Sequence, residues 1–184
     1  MFKKLLGNVA SALNRHCIPY MVIGGQAVLI YGEPRLTKDI DIALGIGIDG
    51  IGKVTGLVNQ LGLKVLIKDI DDFVKKTMIL PVLDEKTGIR VDLIFSFSAY
   101  EKQAIERAKD IKLGKALIRF ASLEDVVIHK IVAKRARDIE DVKSILLKNP
   151  VYDSHYIQNW LREFDRSLNE EFLSLFNKIE EEMK

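Results

Sequence analysis

Asp39, Asp41 and Asp92 are the residues of this sequence whose type and placement best suit chemistry. Asp39-Ile40-Asp41-Ile42 alternates acid and aliphatic residues. Successive side chains of a strand point to opposite faces, so the two acids share one face and the two isoleucines the other. In Ile89-Arg90-Val91-Asp92-Leu93-Ile94-Phe95 the apolar face is Ile89, Val91, Leu93 and Phe95, and Asp92 points away from it. Asp is depleted in strands, so each placement is locally unfavourable; local rules tend to yield where function requires it. If the two strands are neighbours, three carboxylates converge. Crowded anions raise one another's pKa unless a cation sits among them, and hard oxygen donors suit Mg²⁺ or Mn²⁺. The competing reading has each acid facing solvent or pairing with Lys38 or Arg90. A second feature is Gly24-Gly25 after Ile23, at a strand-to-helix junction. Glycines there let a ligand approach the backbone, and the following helix offers free N–H groups to an anion. A tight turn with no ligand is the plainer alternative.

The elements that must position these residues follow from periodicity. Residues 2–16 read as an amphipathic helix with Phe2, Leu5, Leu6, Val9 and Leu13 at helical spacing. A short apolar strand covers 20–23, a helix 26–31, and Gly32, Pro34 and Arg35 mark a loop. Strands are expected at 39–44, 64–67, 78–83 and 89–95, the last two joined by the turn Asp84–Gly88. Helices are expected at about 51–61 and 98–109, with a helical turn at 69–76 and a small hairpin at 111–120 broken at Gly114. From Ser122 onward the pattern is helical, opening on the capping box Ser122-Leu123-Glu124-Asp125. The fold class is α+β: a mixed sheet with flanking helices, then a helical C-terminal region.

That C-terminal region contains a basic helix. Lys130 and Lys134 lie four apart, on one helix face. A solvated face with Arg137–Asp141 or Lys134–Asp138 pairs is one reading of it, and a point charge for an anionic ligand is the other. Arg135 and Asp138 are assigned mainly to structural pairing.

The 184 residues carry 28 basic and 26 acidic side chains, a net charge of +2 that does not mark a dedicated nucleic-acid binder. Stretches of apolar residues fall short of the ~20 a membrane-spanning helix needs, and no small-residue cleavage site follows the basic start, so no signal peptide is expected. Cys17 is the only cysteine, which excludes an internal disulfide and a multi-cysteine zinc cluster and favours a reducing cytoplasm. His16, His129 and His155 lack metal-ligand spacing. Gly45-Ile46-Gly47-Ile48-Asp49-Gly50 matches the dinucleotide-binding pattern G-x-G-x-x-G. The strand before it should then be apolar on both faces, yet it carries Asp39 and Asp41. Tyr152, Tyr156, Trp160, Phe164, Phe172 and Phe176 near helical spacing suit a core or a partner-helix surface better than a base-stacking platform.

Ile23-Gly24-Gly25, thirteen further residues, Asp39-Ile40-Asp41-Ile42 and a later strand with Asp92 together resemble the nucleotidyltransferase superfamily, the polymerase-beta-like fold. Arg35-Leu36-Thr37-Lys38-Asp39-Ile40-Asp41 is similar to the small prokaryotic members, including those of toxin–antitoxin and abortive-infection systems. The resemblance covers about 18–95 well and 122–147 more loosely. Gly25 stands where many members carry Ser. It implies a nucleotidyltransferase-like core over 1–121 with the helical region 122–184 packed on it. It implies Mg²⁺ or Mn²⁺ held by Asp39, Asp41 and Asp92 as the catalytic set, and an NTP such as ATP held by Gly24, Gly25, Gln26, Thr37, Lys38 and Lys130. The acceptor could be a tRNA end, a protein hydroxyl or a small molecule such as an aminoglycoside. The alternative is an inactive binding module of the same fold, such as a toxin–antitoxin partner.

Overall fold

The computed structural model describes residues 2–96 and 98–183. The chain forms two compact units: residues up to Gln26 with Leu36–Ala121, and Ala27–Arg35 with the residues from Ser122 on.

The first unit is built on a seven-stranded mixed sheet. In chain order its elements are α1 (Phe2–Arg15), β1 (Tyr20–Ile23), the start of α2 (Gly24–Tyr31) and β2 (Asp39–Leu44). A 3₁₀ turn (Ile48–Gly50) leads to α3 (Ile51–Gln60), β3 (Lys64–Val65), α4 (Ile70–Thr77) and β4 (Ile79–Asp84). Then come β5 (Ile89–Phe95), α5 (Ala99–Arg107), β6 (Lys109–Leu113) and β7 (Ala116–Phe120). The sheet order is β3-β4-β5-β2-β1-β7-β6. The pairs β2–β5 and β1–β7 are parallel and the others antiparallel.

This arrangement follows from side-chain patterning. Ile40, Ile42 and Leu44 of β2 are fully buried, as are Val91, Leu93 and Phe95 of β5 on the same face. Each such side chain contributes about 1.5–3 kcal/mol of burial. α1 turns Leu5, Leu6, Val9 and Leu13 inward, and Gly7 leaves room for Ala116, whose Cβ would stand 3.1 Å from an added one. Between β4 and β5 the turn closes with Thr87 and Gly88 donating to the Asp84 carbonyl at 3.1 and 2.8 Å, and Gly88 takes φ +68°. The Gly45–Gly50 segment is the exit loop of β2 running into the 3₁₀ turn. The antiparallel neighbours in the sheet rule out the doubly wound fold that its glycine pattern mimics.

The second unit is helical: α6 (Leu123–Ala133), α7 (Ala136–Lys148), α8 (Ser154–Leu168) and α9 (Phe172–Glu182). Ser122 caps α6, its Oγ accepting the Asp125 N–H at 3.2 Å and donating to the Asp125 carboxylate at 2.6 Å. Tyr156 of α8 donates to the other oxygen of that carboxylate at 2.9 Å. Ile131, Val142, Ile145, Ile157, Leu161, Phe172 and Phe176 are buried, so two of the six aromatics singled out from the sequence serve as core. Segment Ala27–Arg35 groups with these helices because long-range polar contacts tie it there. Asn149 Nδ2 donates to the Tyr31 carbonyl at 2.8 Å, Lys148 pairs with Glu33 at 2.9 Å, and Arg35 pairs with Asp141. No described helix is long and apolar enough to cross a membrane.

Candidate active site

β2 lies between β1 and β5, and this neighbourhood brings residues from distant parts of the sequence together. The parallel register sets Asp39 beside Arg90 and Asp41 beside Asp92. Strand spacing then holds the backbones of Asp41 and Asp92 about 4.8 Å apart. By two-residue alternation Asp39, Asp41, Arg90 and Asp92 all project from one face, opposite the buried Ile40, Ile42, Val91 and Leu93. The acid face is graded in exposure: Asp39 is exposed where β2 begins, and Asp41 and Asp92 are half-buried.

On the other side of β2, Ile23 is paired with Asp41. The chain turns into α2 at the next residue, Gly24, which has φ +61°. A Cβ built on Gly24 would fall on the Asp41 carboxylate. Glycine is thus required here twice, for the left-handed backbone and for the approach of the acid. Gly24→Ala is expected to lose about 1–2 kcal/mol to backbone strain and to push the carboxylate out of place. Heat unfolding and a Mn²⁺ titration check this; a variant matching the parent in both would show that the fit is looser than the geometry implies.

Gly25 and Gln26 are buried in the first turn of α2. Amides of a first helical turn have no intrahelical carbonyl partner, so they are the groups available to an anion. Thr37 Oγ1 donates to the Asp39 carbonyl at 3.4 Å just ahead of β2, and Lys38 is exposed beside it.

Sequence reasoning did not place Arg90 in the site. Its Nε donates to Asp92 Oδ1 at 2.8 Å, with 47% of the Arg90 side chain and 16% of the Asp92 side chain exposed. The Asp92 hydrogen bond pushes the guanidinium pKa up by more than desolvation lowers it, and the Asp92, Asp39 and Asp41 charges add to the rise. The signal was in the sequence: Arg90 precedes Asp92 by two positions and so shares its face. This pair is also the one that the solvent-or-pairing reading of Asp92 anticipates.

Among the described residues no three carboxylate, imidazole or thiol side chains converge as a ready-made metal cluster. The donor chemistry nonetheless fits a hard divalent cation. Asp39, Asp41 and Asp92 offer only oxygens from one sheet face, and the bare Gly24 lets the Asp41 carboxylate lie against the backbone at the start of α2. Asp92 could join such a set once its carboxylate leaves Arg90.

The sequence reading gives Lys130 to an NTP phosphate; the structure places it in an ionic cluster. Its side chain is buried in the second unit, with Nζ 2.5 Å from Asp138 and 3.0 Å from Asp141. Arg35 clamps Asp141 through Nε and Nη2 at 2.8 and 2.9 Å, and Arg135 Nε meets Asp138 at 2.5 Å. Burial alone would raise the Asp138 pKa, but Arg135 and Lys130 outweigh it and hold it below the usual carboxylate value. Lys130 thus has two buried carboxylate partners within its own unit. Lys134 pairs with Glu170 and lies 4.3 Å over the Phe172 ring, instead of pairing with Asp138.

Comparison with solved structures finds the same fold. The solution structure of the antibiotic-resistance factor ANT(2'')-Ia matches with a TM-score of 0.61 at 15% identity, covering 91% of this chain and 95% of that one. A nucleotidyltransferase-like protein from Paracoccidioides brasiliensis matches at 0.57 and 16% identity, covering 90% and 87%. The lincosamide antibiotic adenylyltransferase LnuA, in its lincomycin-bound form, matches at 0.54 and 18% identity, covering 77% and 94%. At these identities the likeness is one of fold. No curated protein matches the sequence. A family model described as "Nucleotidyltransferase of unknown function (DUF6036)" matches residues 3–171.

Proposed function

The chain belongs to this nucleotidyltransferase family, and from that premise we propose that it transfers a nucleoside monophosphate from an NTP to a hydroxyl acceptor, with divalent metal held by Asp39, Asp41 and Asp92. The observation that carries this reading is the register of β2 and β5, with Asp41 opposite Asp92 and Gly24 bare against Asp41. A bound Mg²⁺ or Mn²⁺ supplies charge neutralisation for the triphosphate and lowers the pKa of the attacking hydroxyl.

The residues of the chain divide the remaining work. First-turn amides at Gly24 and Gly25 donate to phosphate oxygens, with Gln26 of the same turn assisting. Thr37 and Lys38 flank the entry to β2, where Lys38 adds an exposed positive charge for the phosphates. The acceptor oxygen attacks the α-phosphorus, the bond from that phosphorus to the bridging oxygen of the β-phosphate breaks, and pyrophosphate leaves. Asp92 takes the proton of the acceptor hydroxyl. The strand pairing fixes the backbone register of the acids, and electrostatics fixed in advance of the reaction contributes to the rate gain. ANT(2'')-Ia is described as an antibiotic-resistance factor and LnuA as a lincosamide antibiotic adenylyltransferase, so hydroxylated antibiotics belong among the trial acceptors, beside tRNA and protein.

Incubating the protein with each labelled NTP, Mg²⁺ or Mn²⁺, and cell extract or single acceptors tests the proposal. Pyrophosphate release with label on an acceptor is the expected result. Silence with every NTP and both metals removes it and leaves the inactive binding module, such as a toxin–antitoxin partner. The second reading has one observation in its favour, the engagement of Asp92 by Arg90.

A further inference from the structure

We propose that Arg90 is the resident cation of the carboxylate face: its guanidinium holds Asp92 until a divalent cation binds, and then yields Asp92 to it. This rests on the reading that Asp39, Asp41 and Asp92 form the cation site.

Three observations support it. Arg90 is placed by register beside Asp39 and two residues before Asp92, so its side chain stands on the acid face and not behind it. Its Nε is 2.8 Å from Asp92 Oδ1, and no metal cluster is pre-formed among the described residues. Its side chain is 47% exposed while that of Asp92 is 16% exposed. The guanidinium can therefore swing into solvent without stranding a charge, whereas the carboxylate has little freedom to go elsewhere.

The electrostatics give the device a purpose. Three carboxylates on one face repel, and a fixed positive charge among them relieves that repulsion in the metal-free chain. An ion pair whose cation is half-exposed can be exchanged, because that cation regains water on leaving. Metal loading is then a replacement of guanidinium by metal at Asp92, and the affinity measured is the difference between the two. Arg90 acts through Asp92 and is a positioning residue.

The test is Mn²⁺ binding, followed by the electron paramagnetic resonance of free Mn²⁺, together with heat unfolding with and without Mn²⁺. The parent is compared with R90M, R90K, D92N and the double variant. R90M is expected to bind Mn²⁺ about tenfold tighter, because the competitor and its opposing charge are both gone. It is expected to melt lower without Mn²⁺ and to recover with it. R90K keeps the charge and stays near the parent. Adding R90M to D92N moves the affinity far less than adding it to the parent, since the contested carboxylate is absent. R90M binding no tighter than the parent overturns the proposal, as does a melting loss that Mn²⁺ does not repair. If R90M does not fold, R90Q carries the same comparison. A parent that binds no Mn²⁺ sinks the cation-site reading itself; a parent that binds Mn²⁺ without an Arg90 effect sinks this inference alone.

Discussion

Asp41→Asn is expected to abolish nucleotidyl transfer and leave the protein folded. The substitution keeps the shape and the packing beside Gly24, and removes one negative charge from the centre of the acid face. Asp41 is flanked by Ile23 on one strand and Asp92 on the other, so it is the acid that any cation shared by this face must meet. Metal stabilisation of developing charge is worth several kcal/mol, which corresponds to a rate loss of roughly a thousandfold or more. Melting should not be appreciably lowered, because removing one of three like charges relieves repulsion. The measurement is initial-rate pyrophosphate release at saturating NTP beside a heat-unfolding curve. Near-parental turnover with intact melting would mean that the chemistry lies away from this sheet face. Loss of turnover together with unfolding would not separate the two roles, so Asp39→Asn, at the exposed start of β2, is measured alongside. It removes a neighbouring charge at a position with less packing to lose.

The acid face was legible in the sequence because strands have a period of two. The alternation Asp39-Ile40-Asp41-Ile42 and the apolar positions around Asp92 state which side chains share a face, whatever the sheet order. Pairing was not legible in the same way. Nothing local says that β5 lies parallel to β2, or that β7 lies beside β1, because register is set by packing across the sheet and not by either strand alone. α6 was readable from its capping box, but the fate of Lys130 was not. Its spacing from Lys134 suggested a shared solvated or phosphate-facing surface, whereas the turn at Lys134, with φ +56°, redirects the chain into α7. That reversal brings Asp138 and Asp141 back onto Lys130. Arg35 meeting Asp141, 106 positions away, is likewise a product of tertiary structure. Charges that pair across helices cannot be told from charges that face a ligand by spacing alone. For Arg90 the period-two rule would have sufficed, had it been applied to the positive residue as well as to the acids.

Lys130→Met provides the sharpest separation between a structural lysine and a phosphate ligand. The methionine fills the space of the stem but leaves Asp138 and Asp141 buried with one guanidinium each, Arg135 and Arg35. Removing one partner of a buried ion pair costs about 3–5 kcal/mol; the surviving guanidiniums favour the lower end, about 3 kcal/mol. Lys134→Met, whose pair with Glu170 is partly exposed on both sides, should cost about 1 kcal/mol. Urea unfolding at neutral pH measures both. The pH dependence adds a check of sign. Asp138 has its folded pKa held below its ordinary value of 3.8, so the stability it contributes is full above that value and is lost as pH falls through the folded pKa. Without Lys130 that depression shrinks, so the gap between parent and variant is widest at neutral pH and narrows below about pH 4. A lysine serving phosphate predicts the opposite pattern: unchanged urea unfolding at every pH, with a raised KM for the NTP. The ionic cluster and the nucleotide role thus make opposite demands on the same substitution, and the buried geometry of Nζ between two carboxylates favours the cluster.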